Sequence, residues 1–227
     1  MDLRKTDPEF AEIIDNFMNN EVPTENGQTL DDKTRYIALT ATMLGCGGID
    51  AFKQKLPEIL NAGVTPIELK EIIYQATDYL GYARMLPFLF AANEYFEKSG
   101  ITLPLEKQGT VSADDRLEKG IDAQAEIFGE HMREAWKAGH INKWLADNCF
   151  GDYYTRGGLD LAQREMITFC FLSAQGGCEP QLISHAKGNM NMGNDKEFLI
   201  KIVSQCLPYI GYPRSLNAIN CINKAAE

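Results

Sequence analysis

The sequence is poor in the residues that most often build metal and phosphate sites. Only three histidines occur in 227 residues, and none has metal-ligand spacing with another. The six cysteines include neither a CxxC pair nor a zinc-type pattern, so we expect reduced thiols, most of them small buried residues. A glycine-rich phosphate loop is also missing. The sequence therefore predicts no metal site.

Basic charge and long apolar runs are missing as well. The formal net charge is −10, which argues against nucleic acid as a partner because phosphate binding needs a basic face. No apolar run approaches the roughly 20 residues of a transmembrane helix, so we expect no membrane partner. The first residues, Met1–Asp7, carry no apolar signal region, and we expect a cytoplasmic protein.

An internal repeat is the main feature that the sequence does contain. Its period is about 130 residues, too long for an ordinary solenoid repeat. The matched positions include Leu30, Asp31, Arg35, Gly63, Gln75 and Tyr79–Arg84 in the first copy, and Leu159, Asp160, Arg164, Gly193, Gln205 and Tyr209–Arg214 in the second. The copies share a framework and differ in chemistry: Tyr36 stands where Glu165 does, and Lys55 stands where His185 does. We expect the two copies to fold alike.

Helix signals accompany the repeat, and we see no alternating strand pattern. Asp160-Leu-Ala-Gln163 and Thr65-Pro-Ile-Glu68 have the spacing of capping boxes, and Asn194-Asp-Lys-Glu197 is a third cap. We predict an all-α fold of two helical repeats packed as one unit. The predicted boundaries are residues 1–100 for the first repeat, 101–115 for a connector, and 116–227 for the second repeat, which carries the site.

The candidate site lies in the second repeat. Cys178 and His185 are seven residues apart and share one face of a helix starting near Pro180, with Gln181 between them. A thiol at a helix N-terminus is pushed toward thiolate by the helix dipole. Glu165 belongs to a mostly apolar helix, and the Gly176-Gly177 turn folds that helix back toward His185. These patterns predict one mostly apolar pocket that contains all three groups.

Two tyrosines complete the candidate set. Tyr209 and Tyr212 are proposed substrate-binding residues, together with Gln181, although their recurrence in the first repeat favours framework packing. Arg164 also recurs, and we expect it to form a structural ion pair.

These motifs resemble the carboxymuconolactone decarboxylase family. The resemblance rests on Leu159-Asp160-x-x-x-Arg164, Gln181-Leu-x-x-x-His185, Gly193 and the run from Tyr209 to Ala218. It covers nearly all of the second repeat and the framework of the first. The resemblance implies an all-helical, cofactor-free homo-oligomer, which for a two-repeat chain favours a trimer. It also implies a small-molecule substrate, with His185 as general acid/base and Glu165 as its partner.

The resemblance extends to alkyl hydroperoxidase D, a relative whose site combines a glutamate, a CxxC pair and a histidine. Glu165, Cys178 and His185 match that pattern, and Gln181 replaces the second cysteine. Three functions therefore remain open. The first is decarboxylation or isomerisation of a small organic acid or lactone. The second is a thiol peroxidase that uses Cys178 as nucleophile. The third is a non-catalytic helical oligomer that binds a small ligand.

Overall fold

The computed structural model describes residues 3–227, so the first two residues of the predicted first repeat lie outside it. Within that range every regular element is a helix. The α-helices are α1 (Leu3–Thr6), α2 (Pro8–Asn16), α3 (Val22–Thr24), α4 (Asp32–Cys46), α5 (Ile49–Asn61), α6 (Pro66–Leu80), α7 (Tyr82–Lys98), α8 (Arg116–Phe128), α9 (His140–Trp144), α10 (Leu161–Gln175), α11 (Glu179–Asn191) and α12 (Lys196–Ala225). Two π-helical segments (Phe17–Glu21 and Leu145–Tyr154) and one 3₁₀ segment (Glu130–Ala138) complete the set. The predicted all-α fold is confirmed.

Two predicted capping boxes start the helices that frame the site. Asp160 accepts a hydrogen bond from the backbone N–H of Gln163, whose side chain accepts one from the Asp160 backbone. Thr65 and Glu68 form the same reciprocal pair at α6. Because these bonds satisfy N–H groups that a helix start leaves free, they fix where α10 and α6 begin.

The third cap differs from the prediction by one residue. Asp195, not Asn194, caps α12 by accepting from the backbone N–H of Phe198. The Asn194 amide instead donates to the Ala162 carbonyl, which ties the turn before α12 to α10. Within α12, Gly211 leaves the helical conformation, with φ of 76°, and bends the helix where the sequence predicted an interruption.

The two repeats have the same helix order and matching helix lengths. The helices α4, α5 and α6 have 15, 13 and 15 residues. Their counterparts α10 and α11 have 15 and 13 residues, and the part of α12 before Gly211 corresponds to α6. The prediction of two tandem repeats is confirmed. The repeats differ at the turn before α11, where one additional residue places Cys178 at the N-cap.

The two repeats are joined by reciprocal hydrogen bonds and by close packing of their central helices. Arg164 of the second repeat donates to Gln75 of the first at 2.8 Å, and Arg35 of the first donates to Gln205 of the second at 2.9 Å. The central helices α4 and α10 approach so closely that a Cβ on Gly45 would lie 2.7 Å from that of Ala174. This reciprocal packing joins the repeats around one core.

Residues between the repeats build a second layer over α11. Helix α8 packs against the π-helix Leu145–Tyr154 and against α11, and a small apolar cluster that includes Ile127, Phe150 and Tyr154 fills the space between them. This layer covers the face of α11 that carries the candidate site. Among residues 3–227, no helix combines the length and the apolar character needed to cross a membrane.

Candidate active site

A buried carboxylate–imidazole pair is the centre of the site. Glu165 on α10 lies 2.9 Å from His185 on α11, measured from Oε2 to Nδ1. Glu165 is 0% exposed and His185 is 9% exposed. The two helices meet here because the Gly176-Gly177 turn reverses the chain, as the sequence predicted. Since Nδ1 is bonded to the carboxylate, Nε2 is the ring nitrogen left for a ligand.

The Tyr154 hydroxyl bonds the other oxygen of Glu165, and it is itself held by a threonine and a second tyrosine. Tyr154 Oη donates to Glu165 Oε1 at 2.9 Å, and Thr168 Oγ1 lies 2.8 Å from Tyr154 Oη. Tyr79 Oη, from the first repeat, lies 2.7 Å from Tyr154 Oη. Burial raises the pKa of Tyr154 and of Tyr79 well above ordinary values, so both remain neutral donors. The carboxylate therefore has a hydrogen-bond partner on each oxygen.

Aromatic rings fix the orientation of the imidazole. Tyr79 and Phe128 pack edge-on against His185, with ring centroids 5.4 and 5.3 Å away. Gly188, one turn after His185, makes room for the pair: a Cβ there would lie 2.6 Å from Glu165 Oε2. Any larger residue at Gly188 would therefore push Glu165 away from His185.

His185 faces a cavity of about 950 Å³, near the upper end of ordinary ligand pockets. Cys178, Gln181 and His185 all line it, whereas Glu165 lies behind His185. Most of the cavity surface is apolar, and the apolar or aromatic lining residues include Tyr79, Phe128, Met132, Leu145, Phe150, Leu172 and Ile183. Lys187 and Lys224 supply positive charge in the same cavity, and Glu227 supplies negative charge. The cavity can hold a small organic molecule.

The structure corrects the expected ionisation of Cys178. The residue is the N-cap of α11, as predicted, but burial raises the pKa of its thiol. Its Sγ lies 3.5 Å from the Leu172 carbonyl, which the thiol can reach only as a donor, and the Gln175 amide lies 3.8 Å away. Loss of hydration outweighs the effect of the helix N-terminus, so the thiol, not the thiolate, is favoured.

Tyr209 and Tyr212 lie apart from this cavity. Tyr209 packs near Tyr36 and Arg35 of the first repeat, because the third helix of each repeat also packs against the first helix of the other. Tyr212 is 62% exposed and lines a different pocket with Ile13 and Pro208. The tyrosine that touches His185 is instead Tyr79, the first-repeat counterpart of Tyr209. The sequence showed this correspondence but not the packing that brings Tyr79 to the second-repeat site.

Asp78 is a further cavity residue that the sequence interpretation missed. Burial raises the pKa of its carboxyl to about 7, with a smaller contribution from the nearby charge of Asp152. A hydrogen bond with Cys149 acts in the opposite direction. The second-repeat counterpart of Asp78 is Pro208, so this carboxyl is found at only one of the two related positions.

We expect Asp78→Asn to stabilise the protein at neutral and alkaline pH. The folded-state pKa lies above the ordinary value of 3.8, so ionisation costs the folded state stability as pH rises from about 4 to about 7. The gain should be about 2 kcal/mol above pH 7 and vanish below about pH 4, since partial exposure screens roughly half of the full shift. Urea unfolding across this pH range measures it; a pH-independent difference would contradict the raised pKa.

Within residues 3–227, no group of three or more His, Cys, Asp or Glu side chains is arranged to hold a metal ion. The site instead combines a carboxylate–imidazole pair, a thiol and mostly apolar walls. Residues 8–94 and 140–224 each match the sequence profile of the carboxymuconolactone decarboxylase family. The chain belongs to the carboxymuconolactone decarboxylase family. No curated protein matches it significantly.

The first family domain has lost the corresponding pair. Tyr36 takes the place of Glu165 and donates to Glu58 Oε2 at 2.8 Å. Lys55, which stands where His185 does, lies 2.7 Å from the same oxygen. A carboxylate is therefore present, but it comes from α5 and is held by a lysine. The first domain thus supplies Tyr79 and Asp78 to the second domain's site without having an imidazole site of its own.

One wall of the cavity lies outside both family domains. Gln124 and Phe128 on α8, and His131 and Met132 on the 3₁₀ segment, fall between the two matched ranges. Phe128 touches the imidazole directly. This inserted wall narrows the space in front of His185, so it contributes to the shape of any ligand the site can accept.

Proposed function

We propose that this protein is an enzyme that performs general acid/base chemistry without a cofactor, either decarboxylation or isomerisation of a small organic acid or lactone. The buried Glu165–His185 pair carries the proposal. A carboxylate on Nδ1 holds the imidazole in one tautomer and stabilises the imidazolium that forms when Nε2 accepts a proton. His185 would exchange a proton with carbon or oxygen of the ligand, and Glu165 would position it.

The composition of the cavity supports a ligand of this class. Aromatic and aliphatic walls favour a compact carbon skeleton, and Lys187 and Lys224 attract a carboxylate in a chain of net charge −10. Decarboxylation next to a carbonyl needs a proton donor at the developing enolate and walls that exclude water. Gln181 would hydrogen-bond a polar group of the ligand. Cys178 would act as a neutral donor or as part of the wall.

A metabolite screen tests the proposal. Purified protein is mixed with carboxymuconolactone and a panel of β-keto acids and carboxylated lactones, and carbon dioxide release and proton NMR spectra are followed. We expect turnover of at least one compound, with turnover lost in His185→Ala. If no compound reacts and some bind, the non-catalytic ligand-binding alternative gains; equal turnover by His185→Ala would refute the proposed role.

The thiol peroxidase alternative keeps one supporting observation. A thiolate at Cys178 would raise the pKa of Cys221, which supports a second thiol within reach despite the missing CxxC pair. However, burial raises the pKa of both, and Cys221 is only 3% exposed. A neutral thiol is a weak nucleophile, and a buried partner is slow to resolve a sulfenic acid.

We therefore expect weak or absent peroxidase turnover with dithiol donors. Peroxide consumption and the intact mass of the protein after peroxide treatment measure this directly. Cys170→Ser, which alters a buried thiol away from the cavity, serves as the matched control. Robust turnover that disappears in Cys178→Ser but survives in Cys170→Ser would place thiol chemistry ahead of acid/base chemistry.

We also propose that the protein is a homo-oligomer, with a trimer favoured. Exposed apolar side chains support the proposal, among them Phe10 and Ile13 on α2, Ile141 and Trp144 on α9, and Phe90 on α7. In a trimer, six family domains would form one ring. Light scattering at micromolar concentration tests the assembly; a monomer would contradict it.

A further inference from the structure

One carboxyl oxygen of Asp78 is a buried hydrogen-bond acceptor without a partner among the described residues. Its Oδ2 is buried and has no hydrogen-bond partner among residues 3–227, and the same holds for Oε1 of Gln124. Both residues line the cavity that His185 faces. Buried polar atoms in proteins are nearly always bonded, so two such atoms in one cavity wall point to a ligand that completes them.

A continuous chain of polar contacts runs from Asp78 to His185 behind the cavity wall. Asp78 and the Cys149 thiol are close enough to influence each other's pKa, and Cys149 Sγ lies 3.7 Å from Tyr79 Oη. Beyond Tyr79, the contacts to Tyr154, Glu165 and His185 are the 2.7, 2.9 and 2.9 Å hydrogen bonds of the pair and its supporting hydroxyls. The links come from α6, the π-helix, α10 and α11.

The hydrogen-bond donors between Asp78 and Glu165 can all point toward Glu165. Tyr154 donates to Glu165, so its oxygen is free to accept from Tyr79, and the Tyr79 oxygen can accept from the Cys149 thiol. Cys149 sulfur can then accept from a protonated Asp78. When Asp78 is ionised, the thiol turns and donates to it instead. The protonation state of Asp78 therefore sets the direction of the hydrogen bond at Cys149, and this change affects the later hydrogen bonds of the chain.

We propose that Asp78 is a second proton-exchanging group of the His185 site, and that the buried chain through Cys149, Tyr79, Tyr154 and Glu165 couples the two ends. The inference rests on the proposed acid/base function and extends it. Asp78 would hand a proton to one atom of the ligand while His185 Nε2 removes a proton from another. The site would therefore have two proton-exchanging groups, Asp78 from the first repeat and His185 from the second.

The proton balance of such a step closes within the cavity. The Asp78 O–H bond breaks and a bond from hydrogen to the ligand forms, leaving a carboxylate. At the other end a ligand C–H or O–H bond breaks and an N–H bond forms at Nε2, leaving an imidazolium. The ligand gains and loses one proton, as an isomerisation requires. For decarboxylation, Asp78 supplies the proton that replaces carbon dioxide, and solvent reprotonates it.

Other ionisable groups surround Asp78, and the test must separate their effects. Asp152, Tyr153 and Cys149 face it from the π-helix, and Tyr79 follows it on α6. His131 lines the same cavity from the inserted wall. With only three histidines in the chain, each imidazole can be followed separately.

The test follows the His185 ring by NMR from about pH 5 to about pH 9 in the full-length protein labelled with ¹⁵N-histidine. Four proteins are compared: wild type, Asp78→Asn, Tyr154→Phe and the double variant, so that the coupling is isolated from each single effect. His140, which is exposed and packs against Trp144, is the internal control, and thermal unfolding verifies that each variant is folded.

We expect Asp78→Asn to lower the midpoint of the His185 titration by about half a pH unit or more, because the negative charge that acts on the imidazolium through the hydrogen-bonded chain is then missing. In the Tyr154→Phe background the same substitution should have no effect. An unchanged His185 midpoint in Asp78→Asn would contradict the coupling between Asp78 and His185. A shift that persists without the Tyr154 hydroxyl would contradict the hydrogen-bonded chain as the route of that coupling. Neither readout needs a substrate, so failure of the metabolite screen would refute the proposed function separately.

Discussion

If the proposed activity is correct, replacing His185 with glutamine is expected to lower kcat/KM for the acid or lactone substrate by about 100- to 10,000-fold, the usual contribution of a positioned acid/base. Glutamine keeps a polar group of similar reach but cannot exchange a proton near neutral pH. The effect should fall mainly on kcat, because the aromatic walls that hold the ligand remain. Steady-state kinetics with carbon dioxide release or NMR detection measures it.

Lys55→Gln is the matched control for this substitution. Lys55 occupies the corresponding place in the first repeat, where it contacts Glu58 instead of a buried dyad. The variant should keep wild-type kinetics. If both glutamine variants lose activity equally, the loss reflects damage to the repeat packing, and the assignment of the reaction to the second repeat would be wrong.

The second large effect concerns stability. Glu71, 1% exposed, is the single carboxylate between two guanidinium groups: Arg156 forms a two-nitrogen contact at 2.9 to 3.0 Å, and Arg164, 0% exposed, lies 3.2 Å away. We expect Glu71→Gln to lower the free energy of unfolding by about 3–5 kcal/mol, since it leaves buried cations without a counter-charge. Denaturant unfolding measures this change.

An exposed ion pair provides the contrast. Glu94 contacts Lys98 one turn away on α7, and both side chains are largely in solvent. Glu94→Gln should leave the unfolding midpoint almost unchanged, because surface pairs are screened by water. Unfolding of Glu71→Gln at the wild-type denaturant midpoint would show that Arg164 is held by its carbonyl and Gln75 contacts alone.

Local signals in the sequence were sufficient for the helices and the repeat. Asp160 and Thr65 cap α10 and α6 through bonds to residues three positions away, and such short-range chemistry is readable from spacing. The Glu165–His185 contact was also accessible, because two adjacent helices joined by a short turn must pack back to back. Arg164 proved to be in an ion pair, as expected from its recurrence, but its partner Glu71 lies on the other repeat.

The rest of the site depends on contacts between distant parts of the chain. Spacing within one repeat does not reveal that α6 also packs against the other repeat. The sequence therefore indicates Tyr209 as a substrate-binding residue, whereas Tyr79 lines the cavity in the structure. Tyr154 belongs to a π-helix outside the helices that the sequence predicted. The sequence predicted that the Cys178 thiol is pushed toward thiolate, because a helix N-terminus can be recognised from sequence. The surroundings that desolvate the sulfur and raise the pKa of the thiol cannot be recognised in this way.

The packing of α6 against α10 also explains how the first repeat contributes to the cavity that His185 faces. The first repeat contributes Tyr79 and Asp78 to that cavity, whereas Tyr36 and Lys55 stand at its own positions corresponding to Glu165 and His185. Substitutions on α6 should accordingly alter activity at His185 more than substitutions at α5.

Solvent deuterium incorporation tests the central claim most directly, because acid/base chemistry that depends on His185 must exchange a proton between the ligand and groups in equilibrium with solvent. Product formed in D₂O from the active compound of the screen is analysed by proton NMR for wild type, Cys178→Ser and His185→Gln. The account predicts deuterated product at similar rates with wild type and Cys178→Ser, and about 100- to 10,000-fold slower formation of that product with His185→Gln. Slow formation with Cys178→Ser and a wild-type rate with His185→Gln would contradict it.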